Sequence, residues 1–295
     1  MSERKKIALV TGASLGIGFA LAKELTTRGY QVYAGARRVA PMEPLKQYGV
    51  IPIELDVSLL ELVKKTKQYI LEHAGDSLDL LVNNAGTLCS FPCTDLQDTD
   101  AIACYQVNVF GPMRMVKEFA PLLIKAQGTI TFTGSVTGVV AFPFSAGYNS
   151  LKAAIHQYAA TLRVEMKPFN VKVLNIVTGG VDTNIADTRP MPKDSYYNLP
   201  SLLDAFEERK SMAKRNAPML APDYAREVAN DIERLHLTSG PLNYYRGTKA
   251  WFLGHLLWWA PRWLVEKGLL RKFGFTEGFK QLYQKYVVRR DLKKD

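Results

Sequence analysis

The run Lys6-Ile7-Ala8-Leu9-Val10 is short and apolar, and it leads directly into Thr11-Gly12-Ala13-Ser14-Leu15-Gly16-Ile17-Gly18 before a helical stretch at 19–28. A strand that ends in a glycine-rich turn and continues as a helix commits a chain to a parallel β-α-β start. Gly12 suits the tight turn, Gly16 a close approach of backbone to a ligand, and Gly18 the packing of helix on strand. The helix N-terminus offers unpaired N–H groups and the positive end of a dipole, a setting for pyrophosphate. Gly12, Ser14, Gly16, Ile17 and Gly18 are therefore candidate dinucleotide-binding residues. The spacing is Gly-x-x-x-Gly-x-Gly, and a purely structural turn is the competing reading.

The pattern repeats. Strand-like runs at 7–10, 31–36, 50–55, 79–83, 128–134 and 171–177 alternate with helical patterns, and 242–246 can supply a seventh. This predicts an α/β fold: a doubly wound, Rossmann-type parallel sheet of about seven strands with helices on both faces. A chain of 295 residues, 47% hydrophobic, can bury one large core. The expected organisation is a catalytic domain at 1–248, with a substrate lid at about 184–220, and a C-terminal segment at 249–295. Cys89, Cys93 and Cys104 are odd in number and lack Cys-x-x-Cys spacing, which argues against a disulfide framework or a zinc site. No metal is expected, a reducing compartment is, and no apolar stretch before the first strand marks a secretory signal.

The second strand ends in Arg37-Arg38, where a site for NAD carries an acid for the ribose 2′-hydroxyl. Two guanidinium forks suit a 2′-phosphate instead, so the expected cofactor is NADPH. A solvated basic turn is the alternative. Further along, Tyr148 and Lys152 stand four residues apart, the spacing of one helix face. A free phenol has a pKa of ~10, and lowering it to ~7 takes about 4 kcal/mol. A cation about 4 Å away, at an effective dielectric of ~20, supplies a term of that order. The pair reads as a tuned acid/base, although such pairs also occur on solvated faces.

With these residues the chain resembles the short-chain dehydrogenase/reductase family, motif by motif and in order. Leu55-Asp56-Val57 is similar to the family's adenine-contacting turn, and Asn83-Asn84-Ala85-Gly86 to its Asn-Asn-Ala-Gly turn beside the cofactor. Asn108 resembles the asparagine that holds a relay water, and Ser135, 13 residues before Tyr148, the serine that polarises the substrate carbonyl. The resemblance implies Asn108, Ser135, Tyr148 and Lys152 as catalytic residues. It further implies cofactor contacts at Asp56, Val57, Asn84, Ala85, Gly86, Val181 and Thr183, shared with Asn108, Tyr148 and Lys152. One departure stands out: where the family carries Pro-Gly-x-Val-x-Thr, this chain has Thr178-Gly179-Gly180-Val181-Asp182-Thr183, leaving the stiffness of that loop in question.

Two regions bear on substrate. The lid holds Arg189, Lys193, Arg209, Lys210, Lys214 and Arg215, which are either a solvated helix face or partners for an anionic head group. The segment 249–273 carries all four tryptophans, Trp251, Trp258, Trp259 and Trp263, in two apolar halves split by Pro261-Arg262. Neither half reaches the ~20 apolar residues of a membrane span. Tryptophans flanked by Lys and Arg suit a helical hairpin lying in the lipid interface, and the basic tail 289–295 with a net charge of +10 favours anionic surfaces. A helix pair closing the substrate cavity, or a dimer interface, is the other reading. No nucleic-acid motif accompanies the charge.

Phe142-Pro143-Phe144, Glu165-Met166-Lys167-Pro168-Phe169-Asn170, Thr178-Gly179-Gly180-Val181 and Tyr245-Arg246-Gly247-Thr248 resemble a lipid-metabolising branch of the family in yeasts. That likeness implies NADPH-dependent reduction of the ketone of 1-acyldihydroxyacetone phosphate to 1-acylglycerol 3-phosphate. It implies the endoplasmic reticulum membrane and lipid droplets as location, on the cytosolic face, and family dimers make a homodimer possible. A steroid or retinoid dehydrogenase shares the same groups. A lipid hydrolase using Ser14, within Gly12-Ala13-Ser14-Leu15-Gly16, is the reading from a different class.

Overall fold

The amino-terminal apolar run forms β1 (Lys6–Thr11), whose last five side chains are buried. It is followed by α1 (Gly16–Thr27), β2 (Tyr30–Ala36), β3 (Ile51–Glu54), α2 (Leu60–Ala74) and β4 (Leu80–Asn83). Next come α3 (Asp98–Tyr105), α4 (Gly111–Ala126), β5 (Thr129–Thr133), α5 (Ala146–Met166) and β6 (Lys172–Thr178). The chain closes with α6 (Pro200–Lys210), α7 (Met212–Arg215), α8 (Ala221–Arg234), β7 (Asn243–Arg246), α9 (Ala250–Trp259), α10 (Arg262–Lys272) and α11 (Phe275–Tyr283). This computed structural model describes residues 4–183, 187, 189–235 and 240–288, the side chains of Ala213 and Lys214 excepted. Residues 1–3 and 184–186, the Lys214 side chain, His236 and the basic tail from Arg289, all raised by the sequence, lie outside the described residues.

The strands form one sheet in the order β3-β2-β1-β4-β5-β6-β7, parallel throughout. Every sequence-predicted strand bound falls within one residue of the observed one. Helices cover both faces. On one, Leu21 and Leu25 of α1 meet Tyr224, Val228 and Ile232 of α8. On the other, Val63 and Ile70 of α2, Met115 and Phe119 of α4, and Leu151 and Ile155 of α5 form the larger core. Strand order reverses direction between β1 and β4, and ligands of such sheets bind outside the strand ends at that point.

A third core joins the lid to the C-terminal helices. Leu202 and Phe206 of α6 pack with Val265 and Leu269 of α10, and with Phe273, Phe275, Phe142 and Phe144. The expected helical hairpin is present as α9 and α10. The additional α11 returns over α6, with Gly278 against Leu202 and Ser201 Oγ donating to Gln281 Oε1 at 2.8 Å. The outer face of the hairpin is bare: Trp251, Trp258, Trp259 and Trp263 are all exposed, Trp258 to 79%. Among the described residues no helix is long and apolar enough to cross a membrane.

The loop that lacks the family's proline is held in another way. Thr178 Oγ1 lies 2.7 Å from the Tyr224 hydroxyl of α8. Gly180 N donates to Thr248 O at 3.0 Å and Thr248 N donates back to Gly180 O at 2.9 Å. Asp182 N donates to Met219 O at 2.8 Å. These cross-links replace the stiffness that a proline ring lends through its fixed φ.

α9 can lie on β7 because Gly254 presents no side chain to the Tyr245 ring, with which a Cβ would collide. Gly254→Ala is therefore expected to lower stability by about 1–3 kcal/mol, the usual cost of overpacking. Gly268→Ala, in α10 with nothing within 4 Å of the added carbon, is expected to leave stability level or raise it slightly. Thermal unfolding of both variants checks the pair.

Candidate active site

The C-terminal ends of β1, β4 and β5 are knitted by three polar side chains. Thr11 Oγ1 donates to Val82 O (3.1 Å) and accepts from the backbone N–H groups of Asn84 and Ala85 (both 3.0 Å). Asn84 Nδ2 donates to Thr11 O (3.0 Å), and Thr133 Oγ1 donates to Asn84 Oδ1 (3.2 Å). Neither Thr11 nor Thr133 stood out in the sequence, since a threonine closing a strand carries no local signal of a partner 73 or 49 residues away.

Above this network the glycine turn takes a left-handed backbone at Gly12 (φ 67°) and Gly16 (φ 55°), where a side chain is strained. A Cβ on Gly12 would stand 2.7 Å from Ala85 Cα, and one on Gly16 3.0 Å from Thr183 Cγ2. Gly18 packs against the Gly12 carbonyl. The turn thus leaves its backbone bare along one wall of a cavity of about 1030 Å³. Ser14, Ile17, Asp56, Val57, Gly86 and Val181 line the same cavity, as do Asn84, Ala85 and Thr183. Arg37 and Arg38 stand exposed at its rim, and Asp56 is fixed by Ser58, whose N and Oγ donate to Oδ1 at 2.9 and 2.6 Å. A bare glycine cradle with two guanidinium groups unpaired among the described residues fits a phosphorylated dinucleotide. Of the sequence-predicted residues only Gly18 and Asn108 stand behind the cavity wall. Asn108 is buried, donates Nδ2 to Thr87 O (3.1 Å) and Cys104 O (2.9 Å), and keeps Oδ1 without a partner among the described residues.

The same cavity is lined by Ser135, Tyr148 and Lys152, the first and last of them buried. Ser135 Oγ accepts from Thr137 N (3.2 Å) and Thr137 Oγ1 (2.9 Å), so its own hydrogen remains for a ligand. Lys152, 7% exposed, donates Nζ to Thr133 O at 2.7 Å and lies 5.6 Å from the centre of the Tyr148 ring. His156, one turn further along α5, accepts at Nε2 from Ser135 N (3.1 Å). The imidazole therefore works as a support under the serine loop; a Cβ at Gly134 would meet its Nε2 at 2.6 Å.

The electrostatics correct the sequence-based expectation for Tyr148. Burial pushes its phenol above the ordinary value, and the cation that opposes this is Arg209 rather than Lys152. Burial also pulls Lys152 down to about 8. The physical reason is shared: each charged form gives up water in the same enclosed corner, and four-residue spacing does not offset that loss. Tyr148 is therefore held in its protonated form near neutral pH, and Lys152 remains largely cationic.

The lid is clamped over the cavity. The buried Asp187 carboxylate accepts from Ser90 N (2.9 Å) and from Arg189 Nε and Nη2 (2.9 and 2.8 Å), and Arg189 reaches Asp100 at 2.8 Å. Burial alone would raise the Asp187 carboxyl; these donors hold it below its usual range. The described histidines serve elsewhere: His73 donates to Tyr69 O, His255 to Trp251 O, and His156 supports Ser135. None of them equips Ser14 as a hydrolytic nucleophile, which a histidine base would have to activate.

The chain belongs to the short-chain dehydrogenase family, whose model matches residues 6–193, and is an oxidoreductase of that class. It is 50% identical over 277 residues to the NADPH-dependent 1-acyldihydroxyacetone phosphate reductase of Saccharomyces cerevisiae, covering 92% of each chain. The Schizosaccharomyces pombe protein of the same name is 38% identical over 218 residues, 74% of this chain and 73% of the relative. Among solved structures, a short chain dehydrogenase from Burkholderia cenocepacia in complex with NADP superposes with a TM-score of 0.71 at 27% identity, covering 92% of this chain and 99% of that one.

His156 gives the site a measurable pH signature. Burial, aided by the Lys152 charge, lowers its pKa to about 4, against ~6.5 in the unfolded chain. Between those values the unfolded chain binds more protons, so stability falls as pH drops from ~6.5 toward 4, by up to about 3 kcal/mol. His156→Gln, which keeps a neutral acceptor, is expected to flatten this fall. Denaturant unfolding of both proteins from pH 7.5 to 4.5 measures the difference.

Proposed function

We propose that this protein is an NADPH-dependent reductase of the ketone in 1-acyldihydroxyacetone phosphate, yielding 1-acylglycerol 3-phosphate for glycerolipid synthesis. The observation that carries the reading is the lining of one cavity. The glycine turn with Arg37 and Arg38 lines it, and so do Leu253, Leu256, Leu264 and Leu269 of α9 and α10. Ser135, Tyr148 and Lys152 line the same cavity. An acyl chain suits the leucine lining, and the yeast relatives bear this activity in their names.

Bound NADPH supplies a hydride to the ketone carbon. Tyr148, protonated at neutral pH, gives its phenolic proton to the ketone oxygen as negative charge develops there. Ser135 donates its one unengaged hydrogen to the same oxygen. Lys152, anchored on Thr133 O, has N–H groups left for the ribose of the cofactor. Asn108, with Oδ1 unpartnered behind Gly86, is proposed to hold the water through which Tyr148 regains its proton. Arg37 and Arg38 are proposed to take the 2′-phosphate, with Gly12, Ser14, Gly16 and Ile17 along the diphosphate.

The bare tryptophan face of α9 and α10, with Lys249, Arg262 and Lys267 beside it, supports docking on an anionic lipid surface. The endoplasmic reticulum membrane and lipid droplets are the proposed sites, on the cytosolic side. In this reading 1–248 carries the catalytic groups, and 249–295 is the membrane-associating segment whose α9 and α10 also line the substrate cavity. A homodimer through α4 and α5 is proposed on the exposure of Phe110 before α4 and of Val164 on α5.

NADPH absorbance is to be followed with 1-acyldihydroxyacetone phosphate and with a neutral steroid ketone. Turnover of the first and not the second is expected; equal turnover transfers the protein to the steroid class. Tyr148→Phe is expected to lose ~100-fold or more in rate, with NADPH fluorescence titration nearly unchanged. For the surface, Trp258→Ser with Trp263→Ser is expected to weaken co-sedimentation with phosphatidylserine vesicles ~10-fold or more. Undiminished sedimentation would remove the proposed face.

A further inference from the structure

α6 sends one cation into the cavity that no described acid answers. Arg209 is 7% exposed and lines the cavity together with Phe142, Ser145 and Tyr148. Its guanidinium lies over the rings of Phe142 and Phe273, at 4.9 and 5.8 Å from their centres. Nη2 donates to Ser145 Oγ at 2.8 Å, and the buried Nε has no partner among the described residues. Among the described residues no carboxylate pairs with it.

The other described lid bases differ. Arg189 is taken up by Asp187 and Asp100, and Lys210 by Glu207 at 2.8 Å and Arg189 O at 2.9 Å. Lys193 and Arg215 face water. A buried guanidinium with one neutral partner is costly to the fold, because it has given up hydration without gaining a counter-charge. Burial drops its pKa to about 10, so it is still charged near neutral pH. The folded chain alone gains little from such a group, and an anion in the cavity would complete it.

We propose that Arg209 is the specificity residue of the substrate pocket, binding the phosphate of the ketone substrate through the N–H groups that Ser145 leaves free. The proposal rests on the reductase reading above and selects one base from the lid for it. Ser145 immediately precedes α5, three residues before Tyr148, so an anion on Arg209 sits close to the reacting ketone. That closeness matches the substrate, in which one CH2–O link separates the carbonyl carbon from phosphorus. A phosphate-free ketone would leave the buried charge unanswered, and a site built for a charge rejects a ligand that lacks it. Selection is then made at Arg209, and the leucine lining from α9 and α10 tolerates variation in the chain.

The test compares kcat/KM for 1-acyldihydroxyacetone phosphate and for 1-acyldihydroxyacetone, which keeps the ketone and lacks the phosphate. In Arg209→Met the ratio between the two is expected to fall ~30-fold or more, with partial return in Arg209→Lys. Lys272→Ala, at the cavity mouth, is the control. An unchanged ratio, an equal loss on both substrates, or a preference that follows Lys272 would overturn the proposal. A second readout needs no turnover: thermal unfolding of the NADP+-saturated enzyme with inorganic phosphate. Phosphate is expected to raise the midpoint of the wild type and not of Arg209→Met, which without phosphate should melt no lower than wild type. If phosphate protects only the wild type while neither ketone is reduced, the substrate reading fails and the anion site stands. If phosphate protects both proteins alike, the anion site fails.

Discussion

Two hydrogen bonds from one face of α5 to the end of β5 hold the reactive corner of this protein together. Lys152 Nζ donates to Thr133 O at 2.7 Å, and His156 Nε2 accepts from Ser135 N at 3.1 Å. Tyr148, Lys152 and His156 follow one another at intervals of four, so a single helix face carries the phenol, its neighbouring ammonium and the support for the serine. The sheet fixes where β5 ends, and these bonds fix α5 to that end. The distance from Ser135 to Tyr148 across the cavity is thereby set by the core rather than by a loop. Gly134 and Gly138 have no side chains to interfere, since each faces the His156 ring.

Features encoded over short stretches were legible in the sequence. Strand-length apolar runs, the turn from Gly12 to Gly18 and the Tyr148–Lys152 spacing are local patterns, and strand bounds and cavity walls follow them closely. What escaped depends on partners far apart in the chain. Arg209 was one of six lid bases in the sequence; its bond to Ser145, 64 residues away, and the acids that occupy Arg189 set it apart only in the folded protein. Thr178 looked like a lost proline because its partner, Tyr224, lies 46 residues away. The direction of the Tyr148 shift was misjudged for a related reason: spacing along a helix measures proximity to a charge, whereas burial depends on everything packed around the group.

Two cations without acidic partners among the described residues, Lys152 and Arg209, flank Tyr148 in an enclosed space. Burial weakens the charged form of both, which identifies this corner as a place where stability has been given up. The apolar packing of Phe142, Phe144, Phe206, Phe273 and Phe275 around it supplies compensation, and several of these rings meet edge to face. The C-terminal helices thus belong to the architecture of the reactive corner, although the family match ends at residue 193.

One cavity takes its walls from Gly12 at one end of the chain and Lys272 at the other. During synthesis the glycine turn and the first strands leave the ribosome long before α9 and α10 exist. Until then the nascent chain holds the residues of its nucleotide cradle but none of the leucines that α9 and α10 add to the cavity. The largely aliphatic inner faces of the last helices, with Leu253, Leu256, Leu264 and Leu269, supply that lining only when translation is nearly complete, so a chain cut short before residue 249 would lack not an appendage but part of its own pocket.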